Sequence, residues 1–194
     1  GIIDRRILAN FHIDPDVMAR ILPPPFRPTL ANGYAIGGIC LIRLRGIRPR
    51  FFPLPWGISS ENAAHRIAVE WDVDGQLQEG VYIPRRDTDS RLSTWAGGAL
   101  FPGLHHHASF TVKESDDYFS AIMRSDDGDA RVHVAGTVSD HLPDSSVFSS
   151  LADASAFFER GSLGYSATRI NGRYDGLELR CKNWHVDPLE IEHV

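Results

Sequence analysis

Apolar and polar positions alternate along most of this chain, and a period of two predicts strands. Over residues 6–13, Ile7, Ala9, Phe11 and Ile13 share one face, while Leu8, Asn10 and His12 share the other. Residues 34–44 (YAIGGICLIRL) are apolar on nearly both faces, which predicts a central strand. Gly37 and Gly38 remove side chains there and mark either a bulge or a close approach to the backbone. Over 61–73, Glu61, Ala63, His65, Ile67, Val69, Trp71 and Val73 fall on one side, opposite Asn62, Arg66, Glu70 and Asp72. Asp74-Gly75 is a hairpin signal leading into a strand at 79–84. Three more strands are predicted at 106–113, 117–124 and 130–138, and a last hairpin at 163–170 and 173–186 around Asn171-Gly172. The Pro-, Gly- and aromatic-rich stretch 46–58 reads as a long ordered loop.

The period changes twice. After residue 13, Asp14 can cap free amides, Pro15 suits a first helical turn and Asp16 complements the helix dipole. Val17, Met18, Ile21 and Leu22 are expected to form its apolar side, and Pro23–Pro25 to end it. Ser150 opens a second short helix with Asp153 three residues on, Leu151, Ala154, Phe157 and Phe158 on one side, and Gly161 at its end. The result is a mainly β chain of about eight or nine strands with two short helices, and antiparallel hairpins with two-sided apolar strands favour a closed or nearly closed barrel. Long helices between strands are missing, which disfavours Rossmann-type and TIM-type folds. No GxGxxG, Walker loop, GxSxG or HExxH occurs.

Length and charge narrow the function. With 194 residues, 42% of them hydrophobic, the chain is expected to form a single domain, 1–194, with a core that needs no staples. A net charge of −5 argues against nucleic acid as a partner, because that affinity rests on neutralising phosphates. Of the 20 basic residues only Lys113 and Lys182 are lysines, and the arginines are scattered apart from the Arg43–Arg50 stretch, which could form an anion patch but reads first as an exposed loop and strand end. Cys40 and Cys181 sit in apolar or alternating segments, as buried free thiols would. No run of apolar residues is long enough to span a membrane, no signal-peptide core is present, and a cytoplasmic location is the expectation.

The opening RRILANFHIDPDVMARILPPPFRPTLANGYAIGGICLIRL is a strand, a D-P-led helix ending in L-P, then a G-Y-A strand. Together with SSENAAHRIAVEWDVDGQLQEGVYIPRRDTDSRLSTWAGGALFPGLHHHASF and the closing FFERGSLGYSATRINGRYDGLELRCKNWHVDPLEIEHV, it resembles uncharacterised bacterial proteins of the acetoacetate decarboxylase-like fold. The resemblance covers nearly the whole chain. It implies an antiparallel acetoacetate decarboxylase-like β-barrel with an internal pocket of small-molecule size.

The resemblance also implies where chemistry should sit. In true acetoacetate decarboxylases a G-F-P-K-K-type segment supplies a lysine that forms an imine with the keto acid. The matching stretch here, Leu100-Phe101-Pro102-Gly103-Leu104-His105-His106, offers His105 and His106 or Gly103 and Leu104, depending on register, and no lysine in either. Imidazole cannot form the imine, so Schiff-base decarboxylation is not expected. The family's acidic residue corresponds to Glu61, whose parity with Ile67, Val69 and Trp71 puts it either in a pocket, where burial would raise its pKa, or at a strand's wet end. The family's N-terminal arginine corresponds loosely to Arg5 or Arg6, either of which could meet a ligand carboxylate.

His105-His106-His107 is the most unusual local feature. In a strand His106 joins Ala108, Phe110 and Val112 on the apolar side, while His105 and His107 join Ser109 and Thr111. Two imidazoles at this spacing could recruit Glu61 or His65 around a metal, or line a pocket without one, or form an ordinary surface cluster. His12, His133, His141, His185 and His193 are lone residues of the kind that are structural more often than chemical. Tyr34, Tyr82, Trp71 and Trp95 either line a cavity or pack a core, and Gly97-Gly98 marks a turn or a close ligand approach.

Three classes of function follow. The first is a small-molecule-binding barrel for an organic acid, with Glu61, His105 and His106 as acid–base groups, Arg6, His65, Tyr82 and Trp95 as ligand contacts, and no cofactor or resident metal. The second is a metal-dependent enzyme using the histidine run. The third is a protein without pocket chemistry that acts through an interaction surface, for instance as a homo-oligomer. The first is the expectation.

Overall fold

A computed structural model of the chain describes residues 1–47, 57–96, 103–170, 172–178 and 184–194. The 46–58 loop apart from its ends, Arg48, Arg50, Gly97-Gly98, Leu100–Pro102, Asn171, Cys181 and Lys182 lie outside the described residues. Among those described there are twelve strands and three helices, against the eight or nine strands and two helices read from sequence. The first strand is β1 (Ile2–Ile13), followed by α1 (Pro15–Ile21), the short β2 (Arg27–Pro28) and β3 (Leu30–Ala31), and the long β4 (Tyr34–Ile47), β5 (Ile58–Val73) and β6 (Gln76–Thr88). Then come α2 (Arg91–Ala96), β7 (His105–Glu114), β8 (Tyr118–Ser125), β9 (Arg131–Val138), α3 (Leu151–Arg160), β10 (Leu163–Ala167), β11 (Tyr174–Glu178) and β12 (Leu189–His193). No helix is long and apolar enough to cross a membrane.

The strands join in the order β1-β4-β5-β6-β7-β8-β9-β12. All neighbours on that path are antiparallel except β6 and β7, and the sheet forks at β6. One edge of β6 carries two parallel partners, β10 along Val81–Ile83 and β7 along Arg86–Thr88. The path also curls. Ile7, Ile39, Leu41 and Ala63 from its first half pack against Ala108, Ala121, Met123 and Val134 from its second half. Among the described residues no ladder joins β12 or β9 back to β1, so the sheet is a half-barrel with a seam.

Both faces of β4 and β5 are covered, which is why 34–44 is apolar on both sides. The odd-numbered face of β5 meets the half-barrel interior at Ala63, and at Ile67, Val69 and Trp71 it packs on Met18, Leu22, Phe26 and Tyr82. The even-numbered face meets Leu8, Cys40, Ile83 and Val81, and Ala68 packs on Phe157 and Phe158 of α3.

Local chemistry sets the ends. The Asp14 carboxylate accepts from the amides of Asp16 and Val17, and the Ser150 hydroxyl from Asp153. In α1 only Met18 is buried within the helix. Val17 and Ile21 are exposed, because the short helix touches the sheet along one narrow stripe. Gly38 lies within an unbroken β1–β4 register, so it marks close approach and not a bulge. A Cβ there would sit 2.2 Å from the Ala9 carbonyl oxygen. The bulge lies on β6 instead. His65 opposes Arg85 and Ile67 opposes Tyr82, so Ile83 and Pro84 share the space of one residue, and Pro84 needs no donor there.

Candidate functional site

The inner face of the half-barrel carries two polar networks with apolar side chains between them. The register sets Arg5 of β1, Arg43 of β4 and Glu61 of β5 side by side, and the next row inward is Ile7, Leu41 and Ala63. The Arg5 guanidinium donates to Glu61 at 2.5 Å and also to Glu114 at the far end of β7. Arg43 donates to Glu61 at 2.6 Å and to Glu114 at 2.7 Å. Two cations and two anions thus close a four-membered ring, with Asp4 and Arg45 (2.9 Å) continuing it outward. Burial would raise the Glu114 carboxyl, but hydrogen bonds from Arg5 and Arg43 outweigh it and hold it below the usual carboxylate range. Glu61 is therefore an ion-paired group, and both of its oxygens are taken by arginine.

The second network holds His65. Its Nε2 lies 3.1 Å from Oδ2 of Asp87, a fully buried carboxylate on β6. Arg85 clamps the same carboxylate at 2.7–3.1 Å and reaches Asp127 in the β8–β9 turn at 2.9 Å. His106 Nδ1 closes the chain 2.8 Å from Asp127. Two residues singled out from sequence, His65 and His106, are thus joined through Asp87, Arg85 and Asp127. Burial works against the Asp87 charge, but hydrogen bonds from His65 and Arg85 hold the carboxyl below its ordinary value. An ionised carboxylate only accepts, so His65 Nε2 carries a proton, and in the neutral ring Nδ1 is the basic nitrogen.

His65 also lines a cavity of about 320 Å³ at the seam, bounded by Phe11, Ile39, Arg131, Val132 and His133. Its walls come from β1, β4, β5 and β9, the strands that face each other across the open side. His133 stacks on His193 with ring centroids 4.2 Å apart. The cavity therefore combines an imidazole held by a buried acid, a guanidinium at the rim and apolar walls, which suits a small anionic organic ligand.

The remaining candidates lie elsewhere. His105 sits on the outer face with Arg86, its Nδ1 3.3 Å from the Gly103 carbonyl oxygen, and burial, then the Arg86 charge, push its pKa down. Arg6 is on the outer face too, its Nε 3.3 Å from Cys40 Sγ and its guanidinium 5.3 Å from the Trp184 ring centre. Tyr82 belongs to an aromatic cluster with Phe26 and Tyr174. Trp95, on α2, is 86% exposed. Lys113 is exposed, with the parity of Ser109 and Thr111. Among the described residues no group of three or more His, Cys, Asp or Glu is arranged to hold a metal ion. Asp87, Arg85, Asp127 and Arg131 were not singled out. The alternation Arg85–Asp87 just past the expected strand 79–84 was the available signal for the first two.

A family model described as an uncharacterized conserved protein, DUF2071, matches residues 3–193. No curated protein matches the chain. Among solved structures, acetoacetate decarboxylase from Legionella pneumophila is similar at TM-score 0.52 and 14% identity, over 97% of this chain and 63% of that one. The enduracididine biosynthesis enzyme MppR complexed with pyruvate is similar at TM-score 0.52 and 12% identity, over 88% of this chain and 65% of that one. An acetoacetate decarboxylase-like enzyme from Sphingomonas wittichii is similar at TM-score 0.51 and 12% identity, over 88% and 67%. The chain thus spans a little under two thirds of the first of these neighbours, and the likeness shows the acetoacetate decarboxylase-like fold.

Proposed function

We propose, for a chain that belongs to the DUF2071 family of uncharacterized conserved proteins, that the seam cavity binds a small organic acid, with His65 as its acid–base group. One observation carries the reading: a histidine fixed by a fully buried carboxylate lines a 320 Å³ cavity that also holds Arg131. Arg131 pairs with the ligand carboxylate, and His65 Nδ1 takes or returns a proton at the adjacent carbon or oxygen. Asp87 holds the tautomer, and Arg85 keeps Asp87 ionised. A keto acid is the size class in hand, since one fold neighbour is complexed with pyruvate.

This chemistry needs no imine, since His65 works as an acid–base group, and Lys113 is exposed on the other face of its strand. Glu61 enters the reading as a structural group of the four-membered ring, and His106 as a positioning group. The test is an NMR titration of the protein with C3 to C6 mono- and dicarboxylic and keto acids. Saturable shifts at His65 and Val132 that are lost in Arg131→Ala support the reading. Acids that leave those signals unmoved refute it.

A further inference from the structure

Positive charge without an acid collects on the opposite face of the sheet. Arg66 on β5 is 6% exposed. It donates from Nη2 to Asn10 Oδ1 at 3.2 Å, and its guanidinium lies 5.5 Å from the ring centre of Phe158 on α3. Arg86 donates to Ser166 Oγ at 3.0 Å, and Arg6 to Cys40. Among the described residues, none of these three arginines has a carboxylate within ion-pair reach. Segments 48–56, 97–102 and 179–183 and position 171 contain no aspartate or glutamate. Burial pulls Arg66 below the ordinary arginine range; the nearby Cys40 thiol opposes that, and the positive charge of Arg6 adds to it. A buried cation without a counter-charge is strongly disfavoured.

A small cavity borders that guanidinium. It measures about 20 Å³ and lies between the sheet, at Asn10, Thr29 and Arg66, and the end of α3, at Phe157, Phe158 and Gly161. Thr29 Oγ1 is buried there and has no hydrogen-bond partner among the described residues. Glu79 and Arg160 also border the cavity, but they pair with each other at 3.1 Å. Arg66 is therefore the unbalanced charge, and the Thr29 hydroxyl is an unused donor lining the same cavity.

We propose that this cavity is a site for a single halide-sized anion, held by the Arg66 guanidinium and the Thr29 hydroxyl beneath α3. Water would satisfy the hydroxyl but not the charge. The volume admits about one small sphere, which excludes phosphate and carboxylate ligands. An anion there ties α3 to the sheet, so its effect is on the stability of that layer and not on the seam cavity.

The experiment uses the whole chain. Crystals soaked in bromide are examined for anomalous scattering, and melting is followed in sodium chloride against sodium gluconate at equal ionic strength. The expected results are a bromide peak in contact with Arg66 and a melting temperature that rises with chloride. Thr29→Val keeps the shape and removes the donor, and it should weaken halide binding about threefold to tenfold. Arg66→Met should abolish the chloride effect. No bromide peak, with equal melting in the two salts, would overturn the proposal and leave a water in the cavity. A chloride effect that persists unchanged in Thr29→Val would overturn it as well, and that variant suffices should Arg66→Met fail to fold.

Discussion

His65 Nε2 sits 3.1 Å from Asp87 Oδ2, and Asp87 is fully buried while His65 remains partly open to the seam cavity. The pair can therefore be taken apart by substitution. His65→Gln should change stability by no more than about 1 kcal/mol, because the ring is partly exposed, while abolishing organic-acid binding. Asp87→Asn should cost about 3 kcal/mol, since it leaves Arg85 half-paired in the interior, and should also weaken binding. Urea unfolding and ligand titration measure the two effects, and a His65→Gln protein that binds like the wild type rules out the assigned role.

Asp87 also predicts a response to acid. Its folded-state carboxyl is held below the ordinary value, so the stability it contributes is present above about pH 4 and is lost as pH falls further. The Asp87→Asn protein should lose less stability than the wild type between pH 4 and pH 2, as read by urea midpoints. Parallel curves would refute the linkage.

His105 predicts a second window. An unfolded-chain histidine titrates near pH 6.5, and burial and the Arg86 charge depress the folded value below that. Below about pH 6.5 the unfolded chain takes up a proton that the folded chain resists, so stability falls as pH drops from 7 towards 5. His105→Gln should flatten that stretch of the profile. An unchanged slope in equilibrium unfolding would contradict the burial of His105 as described.

The arginine–glutamate ring makes a different prediction. Glu61→Gln removes a charge that serves both Arg5 and Arg43, and it should cost about 3 kcal/mol. Ligand affinity at the seam cavity should be unchanged, because Ile7, Leu41 and Ala63 separate the two networks. Affinity that falls with Glu61 would return Glu61 to the binding site.

Gly38→Ala should destabilise by about 1–3 kcal/mol, since the new methyl group would meet the Ala9 carbonyl oxygen of the neighbouring strand. The measurement is chemical denaturation, and a neutral result would show that β1 and β4 can part there without cost.

Much of this architecture was legible because alternation is local. The strand 61–73, the Asp14 and Ser150 caps and the side taken by His106 all follow from neighbours in sequence, and the described residues bear them out. What escaped depends on partners far along the chain. Glu61 meets Arg5 and Arg43, and Arg5 meets Glu114 across 109 positions, so no window of sequence shows that Glu61 is already paired. Arg85 and Asp87 lay beyond the strand expected at 79–84, whereas β6 continues to Thr88 and turns them inward. The short α2 and β12 were missed as well: α2 spans only six residues, and the alternation Leu189-Glu190-Ile191-Glu192 that marks β12 was not read.

The bulge at Ile83 and Pro84 bears on all of this. Before it, even-numbered Tyr82 opposes Ile67; after it, odd-numbered Arg85 opposes His65. It is a phase inverter in the strand. Were the same residues paired without the bulge, Pro84 would oppose His65, Arg86 would take the place of Asp87 opposite Ala63, and Asp87 would turn to the other side of the sheet. The sign of charge on each side of the sheet thus depends on the bulge: straightening it at constant chain length would exchange acid for base at the seam cavity, whereas deleting Pro84 would remove the bulge and leave Arg85 opposite His65 and Asp87 opposite Ala63.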